Sequence, residues 1–233
     1  MFKNYKVTPE NISSLYVIIA GLFVCFLMIA NIAANRMVSL PFGIIVTGDI
    51  FLFPLTYIFG DVLTEVYGFK RSRLVIWLGM LANLIMIGYF TLLIKTPFPS
   101  DFVANDAYRT VLGVTPIIVL ASILAFFAGE FSNSASLSII KKWTKGKFLW
   151  IRTIGSTIIG QIFDTLTFMF IAFNFLPKEL FWQMVLAQYL FKVIYEILAT
   201  PLTYMIVKRI KKVEQLDTFD YGVKYNPFSL KIK

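Results

Sequence analysis

Stretches of about 20 apolar residues, the length a helix needs to cross hydrocarbon, recur along nearly the whole chain. Only 15% of the 233 residues are charged and the mean hydropathy is +0.75. A soluble domain carries about 25% charged residues, so this chain lacks the polar surface to cover a globule. The sequence predicts an all-α integral membrane protein.

Six segments fit that length: Ser13–Ala34, Ile44–Val66, Leu74–Ile94, Pro116–Ile140, Thr153–Phe175 and Phe181–Val207. The second is the least regular, because Gly48, Pro54 and Gly60 can break or tilt it. The first has the flavour of a signal peptide, with Lys3, Lys6 and small residues at Ala30–Ala33. Its apolar run is long for that, and five more follow, so it reads as a retained helix. No linker or low-complexity stretch divides the chain. The expectation is one membrane domain over 1–233, with a short N-terminus (1–12) and a basic tail (208–233).

Lysine and arginine set the orientation. Two lie at the N-terminus (Lys3, Lys6), three after the second span (Lys70, Arg71, Arg73), five after the fourth (Lys141, Lys142, Lys145, Lys147, Arg152) and seven in the tail. These seventeen face only four on the other side: Arg36, Lys95, Arg109 and Lys178. Basic residues gather on the cytoplasmic side, so both termini are expected there. The net charge of +9 then reflects topology and anionic lipid rather than nucleic acid. Lys192 alone falls inside a span.

Histidine is absent and Cys25 is the one cysteine. That removes imidazole triads, HExxH zinc chemistry and internal disulfides. No cofactor and no metal are expected, and any proton chemistry must use carboxylates, tyrosine or lysine.

Polar residues nevertheless sit inside the spans at helical spacing. Asn31 and Asn35 lie in the first, Tyr57, Asp61 and Glu65 in the second, and Asn83 in the third. Glu130 with Asn133 or Ser134 lies in the fourth, Gln161 and Asp164 in the fifth, and Gln188, Lys192 and Glu196 in the sixth. Spacings of three and four place such residues on one face. Lipid cannot satisfy them, so the stripes predict a polar cavity within the bundle. The bland alternative is interhelical glue, with Asp61 and Glu65 paired to Lys70 or Arg71 at the interface. Glu130, Asp164 and Lys192 lie too deep for that; Lys192 can pair with Glu196 or with Asp164. Carboxylates and carboxamides beside aromatics suit a flat hydrogen-bonding heterocycle. The segments "IFGDVLTE" (Ile58–Glu65) and "IFDTLTF" (Ile162–Phe168) also hint at a 3+3 internal repeat.

Four blocks carry a resemblance: "NIAANRM" (Asn31–Met37), "FPLTYIFGDVLTEVYG" (Phe53–Gly68), "KGKFLWIRTIGSTIIGQIFDTLTFMFIAF" (Lys145–Phe173) and "FDYGVKYNPF" (Phe219–Phe228). The sequence resembles the queuosine-precursor transporters, the VUT-type vitamin-uptake family of bacteria. The resemblance implies a six-helix, multi-pass inner-membrane protein importing 7-deazaguanines: 7-cyano-7-deazaguanine, its aminomethyl relative or queuine, for tRNA modification. It implies roles for Asp61 and Glu65 in the second block, and for Arg152, Gln161 and Asp164 in the third. Glu130 and Asn133 sit in "GEFSNS" (Gly129–Ser134), a stretch where family members vary more.

The expected substrate contacts are therefore Asp164, Gln161, Glu130, Asn133, Tyr57, Asn35 and Gln188. Asp61, Glu65, Lys192, Glu196 and Arg152 are candidates for coupling or gating. The expected partners are a small 7-deazaguanine and the lipid bilayer, with no nucleic acid, and a homodimer stays open. Two other readings remain: a binding subunit of an energy-coupling-factor transporter, which needs a separate ATPase, and a membrane-embedded enzyme.

Overall fold

The computed structural model describes residues 12–33, 36–39, 45–99, 103–113 and 116–229. Asn35, an expected substrate contact, lies outside them.

Helix α1 spans Ser14–Ala33 and carries no charged residue. A short antiparallel ribbon follows, β1 (Met37–Ser39) against β2 (Ile45–Thr47), with Val38 opposite Val46. A 3-10 turn, Gly48–Phe51, leads into α2, Phe53–Val62, whose Pro54 sits in the first turn. That is where a missing N–H costs nothing. The remaining helices are α3 (Phe69–Lys95), α4 (Asn105–Leu112), α5 (Pro116–Trp143), α6 (Leu149–Ala172) and α7 (Lys178–Glu214).

Among the described residues five helices, α1, α3, α5, α6 and α7, are long and apolar enough to cross a membrane by length and composition. Their outward side chains, such as Leu22, Leu81, Ile85, Phe163, Leu198 and Met205, are exposed large hydrophobics, as lipid-facing surfaces require. The expected second span, Ile44–Val66, is the exception, for it does not form one continuous helix. The ribbon, the 3-10 turn and α2 divide it. Helix α2 then passes into a π-helical turn, Leu63–Tyr67. Such turns are rare insertions in a helix and frequent at functional sites. This turn places Glu65 on a widened coil just after Asp61, and all five of its residues are buried.

Gly68 ends the turn at φ +86°, a conformation that glycine adopts freely and other residues rarely do. A Cβ there would also lie 2.7 Å from Thr218 Cγ2 and 2.9 Å from Asp220 Oδ1. Helix α3 therefore starts earlier than the expected third span, and takes Lys70, Arg71 and Arg73 into its first turns. Arg71 and Arg73 are buried.

Helices α5 and α6 touch backbone to backbone. A Cβ on Gly160 would stand 2.7 Å from Asn133 Cβ and 2.9 Å from the Gly129 carbonyl oxygen. Small residues at a crossing let membrane helices approach closely. The apolar core lies between α1, α2, α3 and α7, around Phe23, Leu27, Ile58, Val62, Val66, Val75 and Val207.

The tail after α7 folds back over the ends of the helices. The Thr218 N–H donates to the Val66 carbonyl (3.2 Å). Arg73 Nη1 donates to the Asn226 carbonyl (2.7 Å) and Trp77 Nε1 to that of Pro227 (2.7 Å). Asp220 accepts from the Phe69 N–H (2.9 Å) and from Ser138 (2.5 Å). One face of the bundle thus holds the start of α3, the end of α5, the start of α6, the end of α7 and the tail.

Candidate functional site

Close packing of α5 on α6 brings polar side chains of three helices together. A narrow crevice, with about 220 Å³ of space between its atoms, is lined by Thr56 and Tyr57 of α2, Phe126, Gly129 and Glu130 of α5, and Gln161 and Asp164 of α6. The crevice is closed, with no room for a water-sized sphere. It is a narrow seam at the depth where the stripes predicted a polar cavity. Tyr57, Glu130, Gln161 and Asp164 are all buried, so four of the expected contacts share one place.

Charges in and below the seam fall into three groups. Asp164 accepts a hydrogen bond from the Lys192 ammonium and pairs with it across α6 and α7. Of the two partners open to Lys192 in the sequence, this is the one it takes.

The second group surrounds Glu65. Arg152 donates through Nε (3.0 Å) and Nη2 (2.7 Å), a bidentate grip on the carboxylate. Lys211 donates at 2.5 Å. Lys141 stands 3.5 Å from the carboxylate and donates to the Glu65 carbonyl (2.5 Å), to Asp217 (2.5 Å) and to the Thr218 carbonyl (2.7 Å). Lys211 closes the network with Asp217 at 2.9 Å. The partners of Glu65 thus come from α5, α6 and α7 rather than from Lys70 or Arg71, because the π-turn points the carboxylate into the bundle. Asp217 lies outside the spans. Burial raises its pKa, but the Lys141 and Lys211 ammonium groups outweigh that and hold it below the usual aspartate value.

The third group is acidic. Asn133 donates to Asp61 Oδ1 at 2.9 Å, which makes Asn133 a bridge between α5 and α2 rather than a wall of the crevice. Glu130 fills the space beside Gly60, where a Cβ would meet its Oε1. Glu196 of α7 is buried as well. Beneath them Thr64, Ser72 and Ser134 form a triangle of hydroxyls with edges of 2.6–2.9 Å.

One expected contact, Gln188, lies elsewhere, and so does the polar residue Asn31 of the first span. Gln188 is half-buried and donates weakly to Met169 Sδ (3.6 Å); it does not line the crevice, because its turn of α7 faces the last turn of α6, beyond Asp164. Asn31 donates to Asn83 Oδ1 (2.6 Å) and ties α1 to α3, as interhelical glue does. Sequence reasoning passed over Lys141, Lys211, Asp217 and Asp220. The one signal for them was the run of three acids, Glu214, Asp217 and Asp220, in a tail whose other charges are basic.

A polytopic bundle with a buried polar seam between its spans defines a membrane transport protein. Residues 47–206 match the family described as "Putative vitamin uptake transporter", and the chain belongs to that family. It is 30% identical over 202 residues to the "Probable queuosine precursor transporter" of Bacillus subtilis, covering 84% of this chain and 87% of that one. It is 24% identical over 204 residues to the "Queuosine precursor transporter" of Escherichia coli, covering 82% and 90%. No solved structure matches the chain.

Proposed function

We propose that this multi-pass inner-membrane protein imports a queuosine precursor, a 7-deazaguanine, as a secondary transporter or facilitator. The observation that carries the reading is the convergence of Asp164, Gln161 and Tyr57 on one buried crevice from α6 and α2. A carboxylate accepts both the ring N–H and the exocyclic amine of a guanine-like edge. A carboxamide donates to the ring carbonyl, and Phe126 and Tyr57 offer aromatic faces. Because the crevice has no room for a water-sized sphere, substrate entry has to widen it.

The proposed topology has both termini cytoplasmic and six passes in a single membrane unit, α2 with its flanking turns making the short second pass. The basic residues on the face covered by the tail support this orientation.

The test is uptake of labelled 7-cyano-7-deazaguanine into vesicles containing only this protein and no ATP. Saturable uptake that unlabelled precursor competes away, and guanine competes away poorly, is expected. Uptake that appears only with an added ATPase would mark a binding subunit. Chemical conversion of the precursor would mark an enzyme.

A further inference from the structure

Among the described residues, five acidic side chains are buried in the heart of the bundle, and two of them are paired with cations. Glu65 has Arg152, Lys211 and Lys141, and Asp164 has Lys192. Asp61, Glu130 and Glu196 have none among the described residues, although they are 0%, 4% and 1% exposed. Each keeps one carboxyl oxygen without a hydrogen-bond partner: Asp61 Oδ2, Glu130 Oε1 and Glu196 Oε1.

Their neighbours are further acids. Asp61 feels the charges of Glu196, Glu130 and Glu65, and Glu130 those of Asp164 and Glu196. The cations that reach this depth are engaged: Arg152 of α6 and Lys211 of α7 at Glu65, Lys192 of α7 at Asp164. A second observation points to the missing species. Asn133 is 2% exposed, spends its N–H on Asp61, and leaves Oδ1 without a donor. A buried acceptor left without a donor, on the side chain that reaches Asp61, and three buried carboxyl oxygens in the same state call for hydrogen among them.

We propose that Asp61, Glu130 and Glu196 form a proton-binding site that couples transport to the proton gradient. Three uncompensated carboxylates in a dry bundle are costly, and a proton on a carboxyl removes its charge and turns one acceptor oxygen into a donor. A metal ion is a poorer fit, since among the described residues no three acidic or thiol side chains converge closely enough to hold one.

Glu130 gives the coupling its route. It lines the crevice and also stands beside Gly60, next to Asp61. A substrate that donates to both oxygens of Glu130 binds the carboxylate better than the acid, whose O–H opposes a donor, so the proton is driven on to Asp61 or Glu196. One proton then moves with a neutral heterocycle, and nothing else is consumed. The coupling role rests on the import reading above; the proton site itself does not.

Its test needs no substrate. Infrared titration of the purified full-length protein in lipid reads the carbonyl stretch of protonated carboxyl groups directly. At pH ~7, well above the range where exposed carboxyls titrate, that stretch is expected to persist in the wild-type protein. It should weaken in each of Asp61→Asn, Glu130→Gln and Glu196→Gln. A wild-type protein with no protonated-carboxyl signal at that pH overturns the proposal, whatever the variants do.

A second arm tests coupling, in vesicles with the membrane potential clamped. An inward proton gradient should accumulate labelled 7-cyano-7-deazaguanine, and a protonophore should abolish the accumulation. Vesicles that exchange the label but ignore the proton gradient, or follow a sodium gradient instead, overturn the coupling. Vesicles that do not exchange the label at all refute the substrate reading, and the infrared result then decides the proton site alone.

Discussion

At the scale of single residues, Asp164 is where fold and proposed substrate compete for one group. Its carboxylate already holds the Lys192 ammonium, so a ligand that takes the carboxylate has to share it with that cation or displace it. Asp164→Asn preserves shape but turns one acceptor into a donor, which then opposes the donors of a guanine-like edge. The variant should insert and fold while its affinity for 7-cyano-7-deazaguanine falls at least tenfold, about 1.4 kcal/mol. Gln188→Ala is the comparison. That side chain touches Met169 and not the crevice, so its affinity should stay within about twofold. Equilibrium binding to both purified variants checks the pair. Equal losses would move the site along α7, and unchanged binding by Asp164→Asn would leave that residue as a tie between α6 and α7.

At the scale of elements, the α5–α6 crossing positions the site. Gly129 and Gly160 bring the two backbones into contact, and Glu130 and Asn133 on one helix and Gln161 and Asp164 on the other follow from it. Gly160→Ala would place a methyl group 2.7 Å from Asn133 Cβ, and overpacking of this kind costs about 1–3 kcal/mol. A lower melting temperature together with weaker precursor binding is expected from thermal unfolding and binding assays. An unchanged melting temperature would mean that the helices can separate without cost. The long helices were legible in the sequence, because an apolar run of that length has few other fates. The pairing of Asp164 with Lys192 was also legible, as one of two alternatives. The surroundings of Glu65 were not. Its partners lie 76, 87 and 146 residues away, and the π-turn that aims the carboxylate leaves no mark in hydrophobic periodicity. Gln188 was misplaced for a related reason. Spacing on α7 puts it on a stripe with Lys192 and Glu196, but spacing cannot say which neighbour each turn of a 37-residue helix meets. The role of the tail was equally hidden, since its docking depends on Gly68, Ser138 and Arg73, each far away in sequence.

At the scale of the whole molecule, the tail closes one face, and its ion pairs give that closure a pH dependence. The Asp217 carboxyl is held below its usual value mainly by Lys141 and Lys211, against the opposing effect of burial. A depressed carboxyl contributes stability that is fully present above its unfolded pKa, and loses it as pH falls through the lower folded value. The tail should therefore resist proteolysis at pH ~5 and become labile only below about pH 4, the ordinary aspartate range. Asp217→Asn should be cleaved faster at neutral pH. Limited proteolysis of the membrane-bound protein, with peptide mapping of residues 215–229, checks both.

The proposed second pass, through α2, also belongs to this scale, and it would return the chain to the side on which α1 starts. The continuous coil of α2 and its π-turn, Phe53–Tyr67, runs 15 residues, about 22 Å at 1.5 Å per residue. The hydrocarbon core is about 30 Å thick, so the coil cannot cross it alone. The 3-10 turn at Gly48–Phe51 has to supply the rest, with its backbone covered by protein: the Gly48 N–H already donates to the Arg36 carbonyl (2.8 Å). Irregular backbone is tolerated at membrane depth when it is sheltered in this way. Six passes then put Ile12 and Tyr221 on the same side, and Val103 on the other. All three are exposed, at 61%, 70% and 97%, which suits them to cysteine substitution in a Cys25→Ser background. A membrane-impermeant maleimide should label Ile12→Cys and Tyr221→Cys only in inverted vesicles, and Val103→Cys only in right-side-out cells. If Ile12→Cys and Tyr221→Cys label from opposite sides, the second pass is overturned, and so is the packing that sets α1 beside α3, in which the Tyr16 hydroxyl donates to the Arg71 carbonyl (3.1 Å).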